Sequence, residues 1–307
     1  MPDNSYIITN EGCLAQVIGY KHPTNGKFGI INYIPERYLK NKTFQKKWER
    51  RISGKVYVKI WKDFLDNWSK NSYDKSMRLI SNLFPKYSYK DKFWGHINFF
   101  PNNRIRSLIE RGKYKSKSDQ KLLKELKEIF KLKNGEIELV GGRSFGPSTL
   151  NADYDIVVKG LSSSIRVRNN IRKLLKSHSN QYITPSGNPH TRVFLYKNIR
   201  IDPSFKYKEG EDPLRNFSYK VAGFKKVKDK VTDDTYSMFI PAIYKLEKNG
   251  FLVTYFNKHK MLLKKGDEIE FVGKEIILNS PKFCGNGFLI DLRGQWIKVS
   301  NQKIVQK

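Results

Sequence analysis

The sequence predicts an α+β protein: a mixed sheet with helices, flanked by a β-rich N-terminal region and a small C-terminal β-barrel. Three observations carry that prediction. Near the middle, the run LVGGRSFGPSTLNADYDIVV over 139–158 sets a Gly-Gly turn and an Asp-x-Asp pair between apolar, β-prone flanks. Around this run the hydrophobic periodicity reads helix, strand, glycine turn, strand, helix, strand, strand, an order that builds a mixed sheet with helices packed on it. On both sides of that unit, short apolar runs alternate with turn residues, as antiparallel strands do.

The first region is set at 1–103. Residues 6–9, 14–20 and 28–34 are β-rich and separated by Asn10-Glu11-Gly12 and Pro23-Thr24-Asn25-Gly26, which suggests a meander. KVYVKIW over 55–61 alternates as a further strand, and 64–84 carries apolar residues at spacings of three and four, as a helix does. The aromatic, Lys-rich stretch 86–103 fits no template.

The second region is set at 104–240. Residues 105–112 suggest a short helix. Ser118-Asp119 precedes a helix over 120–133 that stops at Asn134-Gly135. Residues 136–140 then form a strand into the glycines, 154–159 the next strand, and 164–177 an Arg- and Lys-rich helix. Residues 191–196 and 199–203 make a hairpin-like pair around Lys197-Asn198. The third region, 241–307, begins with a possible helix over 241–248. Five short strands follow, over 251–256, 268–272, 275–279, 288–292 and 295–299. Turns at Gly266-Asp267, Gly273-Lys274, Gly285-Asn286-Gly287 and Arg293-Gly294 separate them, which points to a small barrel of the OB type.

Charge is the second strong signal. Lys and Arg total 59 against 29 Asp and Glu, a net charge of +30. AT-rich coding would enrich Lys, Asn, Ile, Tyr and Phe, but it would also supply Asp and Glu, which are not raised. A polyanionic partner explains the imbalance, because basic surface binds phosphate chains through counterion release. Nucleic acid is therefore the expected partner. A membrane surface is disfavoured, because no basic amphipathic helix of the interfacial kind is present. The hydrophobic share of 38% excludes general disorder, and no apolar run is long enough to span a bilayer. With no secretory leader at the start and only Cys13 and Cys284 for cysteines, neither a disulfide framework nor a Cys-based zinc site is expected. A cytoplasmic setting is the expectation.

The chemistry centres on Asp153 and Asp155. Two residues apart on a strand, they share a face, and side-by-side carboxylates repel unless a cation sits between them. Mg²⁺ takes hard oxygen ligands and keeps part of its shell for phosphate oxygens, and two such ions clamp an in-line phosphoryl displacement. Asp202, opposite in facing to the isoleucines of Ile199-Arg200-Ile201 and stopped by Pro203, is the candidate third carboxylate. Gly141 and Gly142 let the backbone approach a phosphate closely, and Ser144 with free N–H groups then takes the β- and γ-phosphates. Arg143 between them is either a phosphate ligand or a solvated side chain. There is no G-x-x-x-x-G-K-[ST], so a P-loop ATPase is disfavoured. His22 is read as a turn residue, and His96, His178, His190 and His259 lack metal-ligand spacing. Trp61, Trp68, Trp94 and Trp296 are read as core, and the basic helix 164–177 as a solvated face close enough to touch a nucleic-acid backbone.

Gly141-Gly142, Ser144, Asp153-Tyr154-Asp155 and Asp202 resemble the Gly-Gly/Ser, Asp-x-Asp and distal Asp pattern of the DNA polymerase β-type nucleotidyltransferase superfamily, over about 120–207. More narrowly, Gly19-Tyr20-Lys21-His22-Pro23 with Tyr33-Ile34-Pro35, and Lys265-Gly266-Asp267 with the late β segments, resemble archaeal proteins described as nucleotidyltransferases by prediction. The resemblance implies a polymerase β-like fold and an enzyme using Mg²⁺, with two ions or with Mn²⁺ in their place. It also implies an NTP donor and transfer of a nucleoside monophosphate to an acceptor hydroxyl, with pyrophosphate leaving. Asp153, Asp155 and Asp202 are then the catalytic and metal residues, and Gly141, Gly142, Arg143 and Ser144 bind the nucleotide. Arg143 departs from the adjacent Gly-Ser of many members. The high positive charge favours a nucleic-acid acceptor, RNA before DNA, such as a tRNA-like 3′ end. A protein or small-molecule acceptor, or a scaffold on this fold that binds nucleic acid without catalysis, are the other readings.

Overall fold

The computed structural model describes residues 5–19, 22–39, 49–52, 54–60, 70–91, 95–109, 116–140, 153–183, 189–214, 217–256, 259–290 and 296–300. These form an α+β protein, rich in strands, with three sheets.

The first sheet is antiparallel throughout. It contains β1 (Tyr6–Thr9), β2 (Leu14–Val17), β3 (Gly26–Pro35), β4 (Glu49–Ile52), β5 (Lys55–Lys59), β6 (Ser88–Asp91), β7 (Gly95–Pro101) and β8 (Ile105–Ile109). Its main path runs β4-β5-β3-β2-β1-β8, and β7 pairs with both β3 and β6. Helix α1 (Lys70–Leu83) buries Tyr73, Met77 and Ile80, a stripe at helical spacing, in its core. The Tyr73 hydroxyl donates to the His96 carbonyl at 2.6 Å, giving a buried ring a partner for its polar tip. The meander is as predicted, and β6 and β7 resolve the unassigned aromatic stretch. Residues 105–109 are a strand rather than a helix, because β1 supplies them with an antiparallel partner (Tyr6 opposite Ile109) that lies a hundred residues away in sequence.

The second sheet has the order β11-β12-β13-β10-β9. Its strands are β9 (Ile137–Val140), β10 (Tyr154–Lys159), β11 (Gln181–Ile183), β12 (Pro189–Tyr196) and β13 (Ile199–Lys206). The central pair β10–β13 is parallel and the other pairs are antiparallel, so the sheet is mixed. Helices α2 (Lys117–Ile129) and α3 (Leu161–Leu174) cover one face. There Leu122, Leu126, Val167 and Ile171 share a core with Ile156, Val158, Ile201 and Phe205. Helix α2 starts earlier than predicted. Ser116 is the N-cap and Asp119 closes a capping box from inside the first turn, satisfying two backbone donors at once. At the start of α3 the Glu211 carboxylate accepts the Leu161 N–H at 2.8 Å, placing negative charge at the positive end of the helix.

The third sheet has the order β14-β15-β16-β18-β17-β19, and a further pairing of β14 with β17 closes five of these strands into a ring. The strands are β14 (Ser218–Tyr236), β15 (Ala242–Leu246), β16 (Phe251–Thr254), β17 (Glu268–Asn279), β18 (Cys284–Ile290) and β19 (Ile297–Val299). The expected helix over 241–248 is instead β15, pairing with β14 and β16. The expected turn at Gly273-Lys274 lies inside β17. A Cβ at Gly273 would come within 3.3 Å of Leu289 O, so this glycine serves close strand packing rather than a reversal. The first sheet reaches to Ile109 and the third begins at Ser218, so the sheets do not follow the sequence divisions at 104 and 241.

One core joins the first and third sheets: Ile31, Ile34 and Phe100 belong to the same buried cluster as Ile243, Val253 and Ile276. The second sheet is tied to β14 by charge. Arg168 Nη1 donates to the Asp234 carbonyl at 2.6 Å and to its carboxylate at 3.3 Å, and Arg172 Nη2 donates to that carboxylate at 2.6 Å. Asp234 and Arg168 are buried. The basic helix is thus not the uniformly solvated face that was expected: Arg168 and Arg172 are structural, while Arg166, Lys173 and Lys176 face outward. Among the described residues, no helix is long and apolar enough to cross a membrane.

Candidate metal centre

Strand parity builds the site. In β10, Tyr154, Ile156 and Val158 turn toward the helices, which forces Asp155 to the opposite face. In β13, Ile201 and Phe205 do the same and leave Asp202 on that opposite face. The parallel register sets Asp155 directly beside Asp202. Asp153 lies just before β10, and one carboxylate oxygen from each of Asp153, Asp155 and Asp202 falls within 4.8 Å of the others.

This crowding has an electrostatic cost. Burial is the largest influence on Asp155, followed by the charges of Asp153 and Asp202, and together they push its carboxyl up to about 8. Lys59 at the end of β5 and Arg192 in β12 oppose the shift. Lys59 belongs to the first sheet, so that sheet contributes charge to a site carried on the second. Arg192 is buried; its Nη1 donates to the Asp202 carboxylate and, at 2.8 Å, to the Pro203 carbonyl. Arg200 Nη2 lies 3.5 Å from Asp153 Oδ2, and its guanidinium stacks 4.3 Å from the Tyr182 ring centroid. His190 is pushed down to about 4, first by burial and then by the Arg192 charge. Its Nδ1 accepts the N–H groups of Arg192 at 3.2 Å and Val193 at 3.1 Å, which fixes the neutral ring with its proton on Nε2.

No family model, curated protein or solved structure matches this chain. All three predicted aspartates come together. Gly141, Gly142, Arg143 and Ser144 fall in 141–152, outside the described residues. The sequence reading missed Arg192, Arg200, Tyr182 and Lys59. Arg200 had a signal, since a strand residue two before Asp202 shares its face. Lys59 had none, because only the tertiary fold brings it near.

The donor set suits a hard divalent cation: all oxygen, all carboxylate, and mutually repulsive without one. A pH prediction follows from the raised Asp155. Between about 4 and about 8 the folded chain holds a proton that the unfolded chain has released. This group therefore stabilises the fold at low pH, and that contribution falls as pH rises through the window. A bound cation displaces the proton and reverses the loss. Thermal melts should show Mg²⁺ raising the midpoint more at the upper end of this window than at the lower end, and Asp155→Asn should remove the difference. A Mg²⁺ effect independent of pH would count against binding at these carboxylates.

Proposed function

We propose that this protein is a metal-dependent nucleotidyltransferase of the DNA polymerase β type. It moves a nucleoside monophosphate from an NTP to a hydroxyl of a nucleic acid, RNA before DNA, and releases pyrophosphate. The observation that carries the reading is the convergence of Asp153, Asp155 and Asp202 on the face of a mixed sheet opposite α2 and α3, with Asp155 and Asp202 side by side on its parallel pair. The net charge of +30 supports the choice of a polyanionic acceptor.

In this reading the acceptor oxygen attacks the α-phosphorus in line. A new P–O ester bond forms, the bond to the bridging oxygen of pyrophosphate breaks, and Asp202 takes the hydroxyl proton. Mg²⁺ held by the three carboxylates would neutralise charge on the transferring phosphate. Arg192 fixes Asp202, Arg200 fixes Asp153, and the Gly141-Gly142-Arg143-Ser144 turn holds the outgoing phosphates. Catalysis is positioning plus charge neutralisation.

The test is a transfer assay. Protein, Mg²⁺ or Mn²⁺ and each α-labelled NTP in turn are incubated with total RNA, DNA and protein, beside an Asp153→Ala/Asp155→Ala control. Label entering RNA or DNA only with the native aspartates is the expected result. Label on protein would change the acceptor class. The ion pairs that Arg192 and Arg200 make with Asp202 and Asp153 favour one second reading, a scaffold whose carboxylates are satisfied by arginine and which binds nucleic acid without catalysis. Absence of label, with tight salt-sensitive nucleic-acid binding, is its signature.

A further inference from the structure

We propose that the outward face of the third sheet, where β14, β17 and β19 lie side by side, is a track that holds single-stranded nucleic acid. Residues Val227, Val231, Ile269, Phe271, Ile297 and Val299 turn into the core, so their neighbours in sequence form the outer face. The register arranges that face in rows. Lys226 lies opposite Val272, whose N–H donates to the Trp296 carbonyl. Lys228 lies opposite Glu270, and Glu270 opposite Lys298. Lys230 lies opposite Glu268.

Lys226, Lys228 and Lys230 thus stand in one line, about 7 Å apart at two strand residues per step. That repeat is comparable to the phosphate spacing of an extended polynucleotide. Four lysines (Lys226, Lys228, Lys230, Lys298) face two glutamates (Glu268, Glu270) across the paired strands. In the Lys226–Glu270 pair, at 2.6 Å, the lysine side chain is 63% exposed and the glutamate 18%. A hydrogen bond from Lys226, with the charges of Lys226, Lys228 and Lys298, holds the Glu270 carboxyl below the usual range.

An aromatic lies within the same grid. Trp296 is not in the core as expected, while Trp61, Trp68 and Trp94 lie outside the described residues; Trp296 is 40% exposed, with Lys226 Nζ 5.6 Å from its ring centroid. Phe224, on the same strand as the lysine line, is 62% exposed. Charged rows interleaved with exposed rings suit a ligand that offers phosphates and flat bases together, and stacking on such rings accepts any base. A protein partner would call for a more continuous apolar patch than this face offers.

The proposal deepens the nucleotidyl-transfer reading by saying how the acceptor is held, and it rests on that reading only for the role of the bound strand. The test is therefore made without NTP and in EDTA. A labelled RNA strand about 16 nucleotides long, the DNA strand of the same sequence, the duplex, and anionic vesicles are titrated against the full chain at several salt concentrations. Lys228→Glu/Lys298→Glu should weaken single-strand binding at least tenfold. Its log–log salt slope should fall by about 1.4, the share of two phosphate contacts on a single strand. Trp296→Ala should weaken binding several-fold and Trp296→Tyr should restore most of it. Lys121→Glu/Lys124→Glu, the same charge change on the exposed face of α2, should cost far less. Thermal melts of each variant confirm the fold, and Lys228→Gln/Lys298→Gln provides the milder version. Wild-type affinity in the Lys228/Lys298 variants, an equal loss in the α2 variant, or preference for vesicles over single strands would each overturn the proposal. If these variants lose binding while wild type transfers no nucleotide, the track stands and the enzymatic reading fails. If transfer occurs and binding ignores the track, the reverse holds.

Discussion

Asp155→Asn should reduce nucleotidyl transfer by about a thousandfold or more, the scale of losing a preorganised charge contact of roughly 4 kcal/mol at a reacting phosphate. Asn keeps the shape of the side chain but offers one oxygen and no charge, between two carboxylates whose oxygens lie within 4.8 Å of its own. The fold should survive and even gain stability near neutral pH, because the substitution removes a carboxylate that burial and its two neighbours disfavour. Single-turnover transfer, melts and nucleic-acid titration on one preparation separate these effects. Transfer retained at near wild-type rate would remove Asp153, Asp155 and Asp202 as the catalytic site; lost transfer together with lost folding would leave Asp155→Ser as the cleaner variant to measure.

Asp234→Ala should be the most destabilising of the exposed-to-buried charge deletions, at about 3–5 kcal/mol. It removes the counter-charge of two arginines at once, and Arg168 is buried on α3. Burial already pushes the Arg168 guanidinium below its ordinary range. Asp234→Asn should lie between, since it keeps oxygen for one arginine. Glu125→Ala offers the contrast: its Lys197 partner is 63% exposed, and losing such a pair costs about 0–1 kcal/mol. Urea titration of the three variants checks the ranking, and an Asp234→Ala cost no larger than that of Glu125→Ala would show the pair is not doing structural work.

Much of the second sheet was legible because its signals are local. Strand β10 falls where the alternation of Tyr154, Ile156 and Val158 puts it, and the same alternation fixes the facing of Asp155. The facing of Asp202 was legible from Ile199 and Ile201, but Pro203 does not stop the strand as expected: β13 runs on to Lys206 because β10 pairs with it along that length. Segments whose state depends on distant partners were misjudged. Residues 105–109 are short and only lightly patterned, and β1 alone makes them a strand. In 242–246 four of five residues are buried, so no alternation was present to distinguish strand from helix. Strand β14 went unrecognised because its half-buried run KKVKDKV is dominated by lysine, whose long stems and exposed heads hide the period of two. The arginines at the site were missed for another reason: Arg192 sits on β12, ten residues from the Asp202 it meets on β13, and Arg200 meets Asp153 rather than its strand neighbour Asp202, so only the fold shows either pairing.

Strand β14 serves two parts of the fold at once. Its first part pairs with β17, its second with β15, and Asp234 near its end clasps α3. The same nineteen residues therefore serve as wall for the ring of strands and as clamp for the aspartate-bearing sheet. A chain cut before Ser218 would strand Arg168 and Arg172 without their acid, and one that begins there would carry the acid without its bases. The two halves are therefore expected to unfold together, and differential scanning calorimetry should record them melting in a single step.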